Sequence, residues 1–287
     1  MKILQGAVVV LYALFALLPL LWLGITSIKD RDAAISPHAK VIPVLTAPND
    51  PTSVGFVPQL DAFRGLSEVH AGAHASFWEH VTSSVVIGFV STAASVLLGA
   101  ACAYGFSRYR IGGAKDWLFF ILSTRFMPPL AVVIPVLLMY RKLELPGTHL
   151  GLIILYTVFN LSLSVWLMKG FIDEIPKAFE EAAFVDGYTR FDAFWRIIVP
   201  QSATGMAVTG VFCLISAWNE YGFAMTLNSS SAVTVPAYFA GLQGNIEGMP
   251  WPQVAAGALV FVAPVAVLTF LVRKHLLRGV TFGTIKQ

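Results

Sequence analysis

The sequence predicts an all-α membrane protein with six transmembrane helices, and three observations carry that prediction. The chain of 287 residues is 56% hydrophobic and only 12% charged, with a mean hydropathy of +0.72, far more apolar than an ordinary soluble domain. Apolar runs recur near residues 4–27, 81–106, 117–140, 149–170, 201–227 and 252–272, each close to the roughly 20 residues a helix needs to cross a bilayer core about 30 Å thick. The runs are continuous and do not alternate in short segments. Backbone groups in lipid must be bonded internally, so helices are expected here and a closed barrel is not.

The first run, residues 1–27, is too long for a signal-peptide core and no small-x-small site follows it, so it reads as an uncleaved anchor. Residues 28–80 form the one long polar connection. Its Pro, Asp, Asn and Gly punctuation predicts loops with one short helix near Pro58–Leu66, and it is too short and too polar for an independent domain. In the second run Ser91, Ser95, Gly99 and Ala103 recur every four residues, a flat ridge for close helix contact either within the chain or with another subunit. Cys102 and Cys213 are the only cysteines; two isolated cysteines inside spans make neither a disulfide framework nor a metal site, and read as packing residues.

Three of the runs carry polar groups that need a reason, because ionisable side chains in hydrocarbon are costly. Arg125 stands in "ILSTRFMPPL" of the third run, and Asn219–Glu220 stand in "AWNEYG" of the fifth. One reading has them line a hydrated path; the other has them tied internally, with Glu220 a partner for Arg125 or with the carbonyls freed near Pro128 and Pro129 as acceptors. Tyr156 and Asn160 of the fourth run are further lining candidates.

Orientation follows from the basic residues. With the N-terminus inside, twelve Lys and Arg fall on the inner side and six on the outer, Arg125 being the nineteenth. That bias predicts cytoplasmic N- and C-termini, residues 28–80 outside and the 273–287 tail inside. The net charge of +3 is then a basic inner face and calls for no nucleic-acid partner.

The most informative stretch breaks this economy of charge. Phe179–Pro200, "FEEAAFVDGYTRFDAFWRIIVP", holds four acids and two arginines around a glycine. Pro176 opens a first short helix, Gly187 stops it, and a second helix places Phe191, Phe194, Trp195 and Ile198 on one apolar face. A bland loop, an interfacial helix and a helix docked on a partner protein are the three readings. The first needs no aromatic face, and the second is usually richer in Lys and Arg. The third accounts for both the aromatics and the acids.

At these residues the sequence resembles the EAA loop of ABC-importer permeases: Glu181, Ala182, Ala183, Asp186, Gly187, Phe194, Ile197 and Pro200 match its pattern. "AYGFSRYR" after the second run, "AWNEYGFAMTL" and the tail "RGVTFGTIKQ" are similar to the carbohydrate-importer branch, its smaller maltose-type permease in particular. Tyr188, where the family commonly has alanine, is a departure. The resemblance implies a type I ABC-importer permease fold, with a five-helix core over 81–272 and a coupling loop at 171–200. It also implies a heterodimer with a second permease, two ATPase subunits that bind the ATP and Mg, an extracytoplasmic solute-binding protein, and a place in the bacterial inner membrane.

By the same resemblance, Glu181 faces a basic residue of the ATPase, Gly187 sets the bend, and Phe191, Phe194 and Trp195 are anchors. ATPase closure then switches the permease pair from inward- to outward-facing. The recurrence of the Asn-Glu pair in that family, whatever the sugar, favours an architectural role for Asn219 and Glu220.

Rival classes fit less well. An intramembrane enzyme needs a metal set or an activated nucleophile, yet the six histidines lie outside the spans, at their edges or in the tail, and no H-E-x-x-H occurs. No G-x-x-x-x-G-K-[ST] occurs either, so no ATP hydrolysis, catalytic residue or bound cofactor is expected of this chain. A stand-alone secondary transporter or channel is the other alternative, and an acidic docking loop fits it poorly.

Overall fold

The computed structural model describes residues 2–46, 52–68, 75–227, 233–242 and 248–281. Residues 47–51 and 69–74 of the polar connection and the end of the tail, 282–287, lie outside the described residues. The helices in chain order are α1 Lys2–Ser27, α2 Arg31–Ile35, α3 Asp61–Arg64, α4 Phe77–Arg108, α5 Ala114–Ser123, α6 Pro129–Lys142 and α7 His149–Asp173. They continue with α8 Ala178–Val185, α9 Arg190–Ala193, α10 Val199–Gln201, α11 Ala203–Trp218, α12 Gly222–Leu227, α13 Val235–Gly241 and α14 Trp251–Thr281. Among the described residues four segments, Gln5–Ser27, Phe77–Arg108, His149–Asp173 and Trp251–Arg273, are each long and apolar enough to cross a membrane, and two bent helix pairs bring the number to as many as six.

The third apolar run is not one rod. Its halves, Ala114–Phe126 and Ala131–Lys142, meet at 93°. The reason is the Pro128–Pro129 pair: neither residue has an N–H to give, and a residue before proline is driven out of the helical region. Met127 and Pro128 accordingly sit at ψ 124 and 126. The fifth run is broken as well. α11 ends at Trp218, and α12 restarts at Gly222 after Asn219–Tyr221. α14 continues to Thr281, so the expected tail begins as helix.

The chain divides into two compact units. One comprises residues 1–81 with 237–264. Here the polar connection forms a two-residue parallel pairing, Ile42–Pro43 with Gly55–Phe56, besides α2 and α3; the expected short helix falls at α3, and α2 and the strands had no clear sequence signal. Buried Lys29 lies 4.5 Å over the Trp22 ring and 5.6 Å from that of Phe56, and loss of hydration holds its pKa below the usual lysine range. Phe77 is fully buried against Tyr238 and Phe239, at 5.8 and 6.0 Å. Gly257 lets those rings close in: a Cβ there would stand 3.0 Å from both Phe77 and Phe239.

The other unit comprises residues 82–236 with 265–287, and α7 is its central post. The small-residue ridge of α4 packs within the chain. Gly99 lies against Ser164, with no room for a Cβ; the Ser95 hydroxyl donates to the Thr157 carbonyl at 3.2 Å. Gly205 of α11 meets the Phe171 ring in the same way. Thr148 caps α7 by accepting from the Gly151 N–H at 3.0 Å.

Candidate coupling loop and membrane polar cluster

The loop begins where α7 ends, and its first helix is held from beneath. Ala100, Ala103, Tyr104, Met168, Ile172, Ile175, Phe194 and Ile198 form one buried cluster. At its edge Glu180 of α8 is buried and ion-paired with Arg108 of α4; the two side chains are only 5% and 7% exposed. The Tyr104 hydroxyl donates to the other Glu180 oxygen at 2.9 Å, and Arg108 Nη2 donates to the Ile175 carbonyl at 2.9 Å. The neighbouring acid, Glu181, points outward with Ala182, while Ala183 is buried.

Gly187 ends α8 as expected, and the geometry says why it must be glycine. Its φ is +85°, in the left-handed region that penalises a Cβ. The Gly187 N–H donates to Phe184 O at 3.2 Å and the Tyr188 N–H to Ala183 O at 3.0 Å, the paired bonds of a Schellman stop. Thr189 then starts α9 with a capping box: the Asp192 N–H donates to the Thr189 hydroxyl at 3.1 Å and the Thr189 N–H to Asp192 Oδ2 at 3.3 Å. Hydrogen bonding from Thr189 is the main reason the Asp192 carboxyl titrates below its usual range; Arg196, 3.6 Å away, adds to it. Tyr188, the departure from the family pattern, stacks under the Arg196 guanidinium at 5.4 Å.

The aromatic face is split. After α9 the chain takes a π-helical turn, Phe194–Ile198. Phe194 and Ile198 turn inward, Phe194 to 7% exposure and 5.1 Å from the Tyr104 ring. Phe191 and Trp195 stay outside, at 72% and 42% exposure, with ring centres 6.1 Å apart. Expecting all four on one outward face is therefore corrected: Phe194 is a core residue. The stripe is wider than a docked helix needs, and the subunit's own cluster takes half of it. Asp186 is exposed beside the turn.

The polar residues of the spans separate into two groups. The Tyr156 hydroxyl donates to Glu220 at 2.6 Å, and Glu220 accepts from the N–H groups of Phe223 and Ala224 at 2.9 and 3.2 Å. It thus caps the restarted half-helix α12 in the break of the fifth run. The Asn219 amide donates to Ile215 O at 2.8 Å, capping the other side of that break. Buried Asn160 donates to Cys213 O at 3.2 Å; its Oδ1 has no partner among the described residues.

Arg125 does not join Glu220, one of the internal partners open to it. It reaches the Phe159 carbonyl and the Ser216 hydroxyl, each at only 3.4 Å. Glu220 is already committed to three donors. Glu180, Arg108, Tyr104 and the capping box were not singled out from sequence. T-x-x-D over Thr189–Asp192 was a legible signal for the cap; nothing in "AFEEAAFV" tells which glutamate turns inward.

A model of binding-protein-dependent transport system inner membrane components matches residues 95–281. The chain is 30% identical over 270 residues to the probable ABC transporter permease protein y4oR of Sinorhizobium fredii, covering 94% of this chain and 90% of that one. It is also 30% identical over 274 residues to the trehalose transport system permease protein SugB of Mycobacterium tuberculosis, covering 95% and 93%. A crystal structure of a bacterial ABC transporter involved in import of the acidic polysaccharide alginate superposes with a TM-score of 0.70 at 23% identity, over 95% of each chain, a likeness of fold.

Proposed function

The chain belongs to the family of binding-protein-dependent transport system inner membrane components, and from that premise we propose that its 171–200 loop couples a sugar importer to its ATPase. Family membership makes it a multi-pass inner-membrane permease, the non-catalytic subunit of an ABC transporter that works with an ATPase and a binding protein. That sets aside the stand-alone transporter or channel. The observation that carries the coupling reading is the outward pair Phe191–Trp195 on a segment fixed at its start by the Gly187 stop and the Thr189 cap and at its end by buried Phe194 and Ile198. Rigid aromatic anchors of this kind dominate interfaces. Glu181, Ala182 and Asp186 are exposed on the preceding helix and turn, and the two acids suit a basic cleft.

In this reading two ATPase subunits hold the ATP and Mg, a second permease completes a heterodimer, and both termini are cytoplasmic. The 1–27 helix anchors the chain, residues 28–80 face the binding protein outside, and residues 81–272 form the core. The cargo is a sugar or sugar-like solute, on the strength of the 30% identity to a trehalose permease. Tyr156, Asn219 and Glu220 act as architecture, because each is spent on holding the break between α11 and α12. Arg125, loosely tied and exposed, is the residue free to meet an anionic group on the cargo, whereas Asn160, 2% exposed and tied to the Cys213 carbonyl, packs α7 on α11.

Alanine replacements test the coupling reading. Phe191→Ala and Trp195→Ala should each leave the permease in the membrane at normal yield but strip the ATPase from it on purification. Phe194→Ala should lower the yield instead. ATPase retained at wild-type level in the Phe191→Ala, Trp195→Ala double variant rejects the docking surface.

A further inference from the structure

We propose that the buried Arg108–Glu180 pair is a positioning joint that makes α8 one rigid body with α4 and the end of α7. The proposal rests on the coupling reading above and says how movement of the loop reaches the spans. Arg108 ties its own helix to two further elements: Nε donates to Glu180 of α8 and Nη2 to the Ile175 carbonyl in the connecting turn at 2.9 Å, while Nη1 donates to the hydroxyl of its α4 neighbour Ser107 at 2.9 Å. Ser107 donates onward to Asp173 at the end of α7 at 2.6 Å, and Lys169 pairs with the same carboxylate. Tyr104, one turn up α4, closes the ring on Glu180 at 2.9 Å.

A buried ion pair is a poor device for stability alone, since well-packed apolar residues of similar volume usually do as well. What apolar contacts do not supply is direction. They permit sliding of one helix past another, whereas a planar guanidinium held by three differently placed acceptors fixes both distance and angle. Glu180 and the Ile175 carbonyl bring α8 and the turn before it onto α4, and Ser107 carries the tie on to Asp173 of α7, so α8 has no separate hinge between itself and α4. A push on Glu181 of α8 is therefore passed to α4 through this joint. The two adjacent glutamates divide the work: Glu181 faces outward, and Glu180 anchors.

The test places nitroxide labels at Lys177→Cys, the N-cap of α8, and Leu98→Cys on the exposed face of α4, with Cys102 and Cys213 replaced by alanine. The complex is assembled with its ATPase and second permease, and the label distance is read without nucleotide and after trapping with ATP and vanadate. In the otherwise native joint the distance distribution should be the same in both states. With Arg108→Met and Glu180→Leu together it should shift on trapping by roughly 2–5 Å, between a helix sliding at an interface and a one-turn step. Tyr104→Phe, which removes one hydroxyl and should assemble normally, should broaden the trapped distribution in the same direction.

A trapped-state shift in the native joint overturns the proposal, as does an unshifted distance in the Met–Leu variant. If that variant does not assemble, an unbroadened Tyr104→Phe distribution overturns it. Failure of the ATPase to co-purify with the native joint would instead reject the coupling reading beneath it.

Discussion

Replacing Gly187 with valine should detach the coupling loop while leaving the subunit folded and inserted. Gly187 stands at φ +85°, and a Cβ built there meets nothing within 4 Å, so the penalty is one of backbone conformation and not of space. For a residue with a Cβ the left-handed region costs about 1–2 kcal/mol, and β-branching adds to it. If the turn opens to escape that strain, it forfeits the Gly187→Phe184 and Tyr188→Ala183 bonds, together about 1–3 kcal/mol.

Either route takes about 2 kcal/mol from the docking-competent loop, roughly a 30-fold loss of ATPase affinity. It falls well short of a domain's stability of about 5–15 kcal/mol. Asparagine tolerates the left-handed region and alanine is intermediate, so affinity should fall in the order Gly, Asn, Ala, Val. The assay titrates tagged ATPase against permease in detergent micelles, with membrane yield as the control. A valine variant that binds as tightly as the asparagine one would refute the conformational argument, since it would show that the loop does not need this turn.

Arg125→Gln should leave the yield of the complex near normal and abolish uptake, because its two internal bonds are long; a fall in yield with uptake per complex preserved would show that it is structural. Glu220→Gln should lower the yield, by loosening the cap of α12 and the Tyr156 bond. Wild-type yield together with a changed substrate preference would move Glu220 into the path. Cysteine at Leu45, a fully exposed residue of the polar connection, should react with an impermeant thiol reagent in intact spheroplasts, and labelling only after lysis would invert the topology.

Thr189→Ala should cost the loop about 1 kcal/mol of helix-cap energy and release ATPase more readily. The cap also gives a pH dependence. Because the folded loop holds Asp192 below its ordinary pKa, the stabilisation is complete above the ordinary aspartate range and is lost as pH falls through the lowered value. Acid-induced release of ATPase from the native loop, already absent in Thr189→Ala, would be the signature, and the same acid profile in both would discard it.

What the sequence determined by itself was whatever depends on composition and local stereochemistry. The apolar runs located α1, α4, α7 and α14 because the need to bond every backbone group in lipid leaves a long apolar segment little choice but helix. Gly187 was legible as the stop of α8 because a left-handed residue is a local requirement, and the small-residue ridge on α4 was legible as a packing face because side-chain size acts at short range. The Pro128–Pro129 pair was visible too, though the 93° turn it makes was not.

Tertiary structure alone decided which side of an element faces what. Glu180 and Glu181 are adjacent and chemically identical, and only the location of Arg108, 72 positions away, turns one inward and leaves the other exposed. Phe194 and Trp195 divide for the same reason: the cluster around Tyr104 and Ile172 claims one ring, and the π-helical turn sets the boundary. Glu220 is held by Tyr156 and the N–H groups of α12, and Arg125 by the Phe159 carbonyl and Ser216, so the two do not meet. These assignments depend on groups distant in sequence meeting within a few ångströms, and no periodicity or motif along the chain encodes that distance.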